Sequence, residues 1–165
     1  MTPLPQIRRL RPDEAPRFKQ VRLQALQDAP EAFGSTYADA IQRSDASWQQ
    51  QTENSAAGDQ RATFIACLGD QTVGLAALYR QPEDQTIGEM LQVWVAPASR
   101  SDGTAVALIM ALLDWGRAQG MQTVWAAVKT DNQRALRFYE RLGFSLLSAD
   151  HRPGEDLLSK ALIIV

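Results

Sequence analysis

Hydrophobic and polar residues alternate in two rhythms along this chain, and the change of rhythm divides it. From Asp13 to about Gln27 the apolar residues Phe18, Val21, Leu23 and Leu26 recur at helical spacing. Asp13 offers a cap at the start and Asp28-Ala29-Pro30 a stop at the end. A second, more polar helix is expected from Ser35 or Thr36 to about Gln51, anchored by Tyr37, Ile41 and Trp48. Ile7 to Leu10 precedes both as a short strand whose Arg8 and Arg9 read as an exposed edge, and Thr52 to Arg61 follows as a polar loop. Strand rhythm then takes over. Ala62 to Leu68 and Thr72 to Tyr79 form a hairpin around Gly69-Asp70-Gln71, and Thr86 to Val95 makes a third strand. Helices are expected from Asp102-Gly103 to about Gln119, closed by Gly120, and from Thr130-Asp131-Asn132 to Gly143, where Thr130 and Gln133 fit a capping box. Gln122 to Val128, Phe144 to Leu147 and Leu157 to Ile164 are the remaining strands. The order β-α-α-β-β-β-α-β-α-β-β implies one α/β domain over residues 1–165, a mixed sheet of about seven strands with about four helices.

One stretch stands out. Val93-Trp94-Val95-Ala96-Pro97 is a strand and its exit, 98–103 a short loop, and 106–115 an apolar helix. Strand, loop and helix in that order aim backbone N–H groups and the positive end of a helix at one point, which suits an anion and phosphate above all. Val106, Leu108, Ile109, Met110, Leu112, Leu113 and Trp115 cover most of the helix circumference, so burial nearly all round is expected. A firmly held N-terminus contributes roughly 0.3–1 kcal/mol to a bound anion through its dipole.

Composition narrows the field. The chain has 165 residues and a formal net charge of −2, which argues against nucleic acid as its partner. Met1-Thr-Pro-Leu-Pro-Gln lacks the apolar core of a signal peptide and no run reaches membrane-spanning length, so a cytoplasmic protein without a membrane partner is expected. Cys67 is the only cysteine and His151 the only histidine, so neither a disulfide nor a Cys- or His-based metal site is expected. Cys67 reads as a buried small hydrophobe, and His151 as part of a polar loop or hairpin tip over 150–156.

Two motifs carry a resemblance. Arg100-Ser101-Asp102-Gly103-Thr104-Ala105 has the spacing Arg-x-x-Gly-x-Ala, after a strand ending Val93-x-Val95-x-Pro97. Asn132-x-x-Ala135-x-x-Phe138-Tyr139-Glu140-x-x-Gly143-Phe144 follows the next strand. Together they resemble the coenzyme A signature and its partner motif in the GNAT superfamily of N-acetyltransferases. The resemblance implies a mostly antiparallel GNAT-like acyl-CoA acyltransferase fold, acetyl-CoA as co-substrate without a metal, and a homodimer. It implies pyrophosphate binding by Arg100, Ser101, Asp102, Gly103, Thr104 and Ala105, with Gly103 admitting the phosphates where a Cβ would stand. It implies pantetheine along Val93, Trp94 and Val95, with Asn132, Phe138 and Tyr139 completing the cofactor site.

The implied reaction transfers acetyl from acetyl-CoA to a primary amine, on a small molecule or a peptide, by direct attack in a ternary complex. Tyr139 is the implied acid for the leaving sulfur. Glu89 is the candidate base, because alternation puts it on one strand face with Leu91, Val93 and Val95. Phe33, Tyr37 and Tyr79 are candidates to line the acceptor pocket. Asp102 departs from the family pattern, in which a second small or basic residue commonly stands in the loop, and it places a carboxylate beside the expected diphosphate. It leaves open an alternative, a non-catalytic acyl-CoA-binding or interaction module on the same fold.

Overall fold

The computed structural model describes residues 3–162. Its elements are β1 (Gln6–Arg9), α1 (Ala15–Asp28), α2 (Tyr37–Ala40), α3 (Asp45–Ala56), β2 (Arg61–Leu68), β3 (Gln71–Arg80), β4 (Ile87–Val95), α4 (Thr104–Ala118), β5 (Thr123–Lys129), α5 (Gln133–Arg141), β6 (Ser145–Arg152) and β7 (Glu155–Ala161). The strands form one sheet in the order β1-β2-β3-β4-β5-β7-β6. Every neighbouring pair is antiparallel except β4 and β5, which run parallel. The expected mixed, mostly antiparallel sheet is therefore present.

The sheet is covered on both faces. Leu78 of β3 points toward α4 and lies 3.0 Å from the place where a Cβ on Gly116 would stand. Its neighbour Tyr79 points the other way, and its hydroxyl accepts a hydrogen bond of 3.2 Å from Gln51 of α3. Phe18, Val21 and Leu26 of α1 and Leu108, Ile109, Leu112 and Leu113 of α4 are fully buried against Ile65, Leu75, Leu78 and Val124 of the sheet. Each such side chain contributes about 1.5–3 kcal/mol by leaving water. Among the described residues no helix is long and apolar enough to cross a membrane.

Several elements differ from the pattern-based expectation for local chemical reasons. Glu14, not Asp13, flanks the start of α1. Its carboxylate accepts from the Arg11 N–H at 2.9 Å and pairs with Arg8 at 2.7 Å and Arg17 at 2.9 Å. Arg8 is thus half-buried in an ion pair, and Arg9 donates to the carbonyls of Ser55, Gly58 and Arg61, so neither is a free edge residue. The second helix is two helices, because Thr36 and Ser44 each cap a new start by accepting from Asp39 N–H and Ser47 N–H at 3.1 Å. α3 also extends through the expected polar loop to Ala56. Thr52 and Ser55 are buried there, and the Thr52 hydroxyl donates to the Trp48 carbonyl at 2.8 Å.

α4 is not buried all round. Val106 and Met110 are 38% and 42% exposed on one side, while Leu108, Ile109, Leu112 and Leu113 form the inner stripe. Asn132 alone caps α5, accepting from the Ala135 N–H at 3.1 Å. The Gln133 amide donates to the Thr130 carbonyl instead, so the Thr130–Gln133 capping box does not form. β6 runs on to Arg152, which puts His151 within a strand and leaves Pro153-Gly154 as the turn. β7 begins two residues earlier than expected, and the final residues expected in it, 163 and 164, lie outside the described residues.

The Glu14 cluster generates a pH prediction. Hydrogen bonding from Arg8 holds the Glu14 carboxyl down at about 2. A depressed carboxyl contributes stability that is complete above its unfolded value near 4.5 and is lost as pH falls toward about 2. Glu14→Gln is expected to destabilise the fold by about 2 kcal/mol at pH 7 and by much less near pH 2. Urea unfolding at the two pH values measures the difference.

Candidate functional site

The site begins where two central strands stop pairing. β4 and β5 are matched only from Ile87 opposite Thr123 to Met90 opposite Ala126. β4 then continues from Leu91 to Val95 with no β5 partner, so the backbone groups along that edge are open to an added strand-like ligand. The cause lies in β4 itself. Leu75 of β3 faces Trp94 while Ala77 faces Leu91, so β4 holds one more residue than its partner. Gln92 takes up the excess as a bulge with φ of 59°, and its side-chain oxygen is buried without a partner.

The bulge corrects the expected face assignment. Glu89 lies opposite Tyr79 and Leu91 opposite Ala77, so both share the α1/α3 face of the sheet. Past the bulge the alternation reverses. Trp94, opposite Leu75, rejoins that face, whereas Val95 turns toward α4 beside Leu108. Trp94 is only 4% exposed, and its indole N–H donates to Asp28 at 2.9 Å. What Trp94 offers to the open edge is its backbone.

β4 leads into a tight turn over Pro97–Ser99 and then a left-handed loop. Ser101 has φ of 71° and Gly103 of 90°. A Cβ on Gly103 would meet no protein atom within 4 Å, so that side of the backbone is an open cradle. The N–H groups of Ser101, Gly103, Ala105 and Val106 have no protein acceptor among the described residues. These features fit a diphosphate. Two side chains of the loop are committed elsewhere. Arg100 donates to the Val95 carbonyl at 3.0 Å and to Asp28 at 2.6 Å. Asp102 accepts from both the N–H and the hydroxyl of Thr104, at 3.0 and 2.5 Å. Those bonds hold the Asp102 carboxyl below the usual carboxylate range. Bonds from Trp94 first, and then Arg100, do the same for Asp28.

The partner motif stands at the C-terminal end of β5. Asn132 caps α5, and a cavity of 560 Å³ lies between it, Lys129, Asp131 and the segment 28–32. Phe138 and Tyr139 are half-buried and meet edge to face at 5.5 Å. Tyr139 meets Phe144 likewise at 5.4 Å. Burial pushes the Tyr139 phenol up to about 12, so it stays protonated and can donate. The Glu89 carboxylate is half-buried and accepts from the Gln81 amide at 3.0 Å.

Residues 22–144 match the family model described as Acetyltransferase (GNAT) family. The chain belongs to the GNAT acetyltransferase family. A mycothiol acetyltransferase of Mycobacteroides abscessus is 36% identical over 95 residues, which are 56% of this chain and 32% of that protein. An uncharacterised N-acetyltransferase of Mycobacterium bovis is 33% identical over 87 residues, 53% of this chain and 54% of the other. The chain thus matches between a third and about half of these relatives' length. A GNAT acetyltransferase structure from Streptococcus pneumoniae superposes with a TM-score of 0.80 at 18% identity, covering 96% of this chain and 99% of that one. The ribosomal-protein-S18-alanine N-acetyltransferase of Escherichia coli gives 0.69 at 17%, covering 98% and 96%. These structures share the GNAT fold.

Within this GNAT domain the three aromatic residues expected to line an acceptor pocket are half-buried at the α1/α3 side. Phe33 follows the turn after α1, Tyr37 begins α2, and Tyr79 shares its sheet face with Glu89. Phe33 carries a neighbour that the pattern reading missed. The guanidinium of Arg22 stacks over the Phe33 ring at 4.6 Å. The sequence signal was a lone charge inside the apolar stripe of α1, one turn beyond Phe18 and beside Val21. Asp28 was likewise missed, since its partners Trp94 and Arg100 are distant in the chain.

Asp102→Ala is expected to lower Tm, because the Thr104 N–H and hydroxyl lose their acceptor. It is also expected to bind inorganic pyrophosphate more tightly, because a negative charge leaves the loop and an N–H is freed. Thermal melting and calorimetric titration check the two signs.

Proposed function

We propose that this chain transfers an acetyl group from acetyl-CoA to a primary amine by direct attack within a ternary complex. The observation that carries the reading is the unpaired edge of β4 running straight into the left-handed loop at Ser101–Gly103. A pantetheine chain has amides that can pair with such an edge, and its diphosphate suits the N–H groups beyond it. Acetyl-CoA supplies an activated thioester carbonyl.

The chain's own residues then have three tasks. An alkylammonium has a pKa near 10.4, and reaching its neutral form at pH 7 costs about 4.6 kcal/mol. Glu89 takes that proton, directly or through one water, and Gln81 holds its carboxylate in place. A backbone N–H of the bulged strand near Val93 stabilises the carbonyl oxygen as it gains charge. The C–N bond forms and the C–S bond then breaks; Tyr139 donates its proton to the departing sulfur, and the second proton that the nitrogen loses restores the Tyr139 hydroxyl through water. A thiolate is a fair leaving group, with a thiol pKa of about 8.5, so the acid assists and does not carry the reaction alone. Asn132 supports the pantetheine amides while capping α5, and Phe138 packs beside Tyr139. The acceptor, a small molecule or a peptide amine, approaches from Phe33, Tyr37 and Tyr79. The proposed setting is a cytoplasmic homodimer.

Two observations favour a second reading, a non-catalytic acyl-CoA-binding or interaction module. Arg100 is held by Asp28, and Asp102 puts a carboxylate into the phosphate loop. Thiol release from acetyl-CoA with a panel of primary amines separates the two. Turnover is expected, and coenzyme A binding without any amine-dependent thiol release would overturn the enzymatic reading.

Tyr139→Phe is expected to lower kcat about 100-fold while coenzyme A affinity is retained. With the phenol at about 12, the wild-type acid stays protonated throughout the working range. Its ionisation therefore produces no fall in kcat up to about pH 10. A pH–rate profile checks the second point.

A further inference from the structure

Arg22 is the least expected side chain in the molecule. It is 6% exposed, yet it forms no ion pair and no hydrogen bond among the described residues, and its Nη1 is buried without an acceptor. Buried charges are normally paired, because leaving water costs far more than an apolar stack returns. Around Arg22 lie Phe33, stacked at 4.6 Å, and the nearby Tyr79 and Arg43, and among the described residues no carboxylate pairs with it. Burial first, and then the Arg43 charge, push its guanidinium down to about 10, although Tyr79 acts the other way. It remains a cation at neutral pH.

Its position gives the charge a use. α1 packs over β3 and β4, and Tyr79 of β3 lies opposite Glu89, the proposed base, on that same sheet face. Phe33 and Tyr79 are two of the aromatic residues expected to line the acceptor pocket. We infer that Arg22 receives a carboxylate carried by the acceptor, so that the substrate is a small amino acid-like molecule with a primary amine and a carboxylate. The inference rests on the acetyl-transfer reading above and specifies its acceptor. A guanidinium stacked on one ring keeps its edge of parallel N–H donors, which matches two carboxylate oxygens. Arg22 is the buried one of three arginines here that have no carboxylate partner among the described residues; Arg43 donates to the Ser47 hydroxyl at 2.9 and 3.0 Å, and Arg61 stacks over the Tyr79 ring at 4.4 Å.

The test uses the full chain, acetyl-CoA and matched acceptors: L-alanine and L-phenylalanine, their amides, ethanolamine and phosphoethanolamine. The acid-to-amide ratio of kcat/KM is compared between wild type and Arg22→Met, so that the different amine pKa values cancel. The ratio is expected to fall about tenfold or more in the variant, the scale of a lost charge-assisted bond. Coenzyme A affinity should stay unchanged and Tm should hold or rise, because an unpaired buried charge has been removed. Arg22→Lys, which keeps the charge without the fork, should recover only part of the ratio. An unchanged ratio would overturn the inference, as would a preference for phosphoethanolamine. If no amine is acetylated, the acetyl-transfer reading fails separately, and thermal shift still decides this one. Stabilisation of wild type by the amino acids but not their amides, lost in Arg22→Met, supports it. Equal stabilisation by both, or none, overturns it.

Discussion

Beyond Met90 the two parallel strands at the centre of the sheet share no hydrogen bonds, and the candidate site is organised around that separation. The constraint is the extra residue in β4. An antiparallel partner on one side keeps the strand in the sheet, while the bulge at Gln92 bends it away from β5 on the other. The separation exposes an edge that most sheets would hide or pair. It also reverses the side-chain alternation, which puts Glu89 and Trp94 on one face and turns Val95 to the other. The placement of Glu89, the proposed base, and the open edge that leads into the left-handed loop thus follow from one local irregularity.

Asp28 ties this region to the rest of the molecule. At the last residue of α1 it holds both Trp94 from the open strand and Arg100 from the loop, across sequence separations of 66 and 72 residues. The same helix carries Arg22 six residues earlier. One element therefore braces the open strand and its loop through a carboxylate and carries an unpaired guanidinium on the side proposed for the acceptor. The loop after β4 has backbone geometry suited to a diphosphate, but its arginine is engaged and its aspartate satisfies its own helix. Backbone N–H groups, more than side-chain charge, are what this loop offers an anion.

Much of this was legible in the sequence, for definable reasons. The seven strands, the two long core helices and the two motif positions follow from apolar period and from turn residues such as Gly69, Gly120 and Gly143. Elements set by a single side chain were read less well. Thr36 and Ser44 cut one helix into two, and of the three capping oxygens at 130–132 it is that of Asn132 that caps, while the Thr130–Gln133 box does not form. The bulge at Gln92 was invisible, because alternation arguments assume an unbroken strand and no glycine marks the site. Arg22 and Asp28 were missed because their roles depend on contacts that only the folded chain creates. Glu89, Tyr139 and Asn132 came from motif and spacing. The structure adds where each stands, with Glu89 on the α1/α3 face, Tyr139 packed by Phe138 and Phe144, and Asn132 at the end of β5.

The central claim is that the unpaired edge of β4 and the left-handed loop after it form one ligand-binding surface for coenzyme A. Amide hydrogen exchange of the full chain, with and without saturating coenzyme A, tests it most directly. Slowed exchange is expected in two segments, Leu91 to Val95 and Ser101 to Val106, with little change in β1, β2 and α3. Saturating coenzyme A that protects other segments and leaves these two unchanged would contradict it.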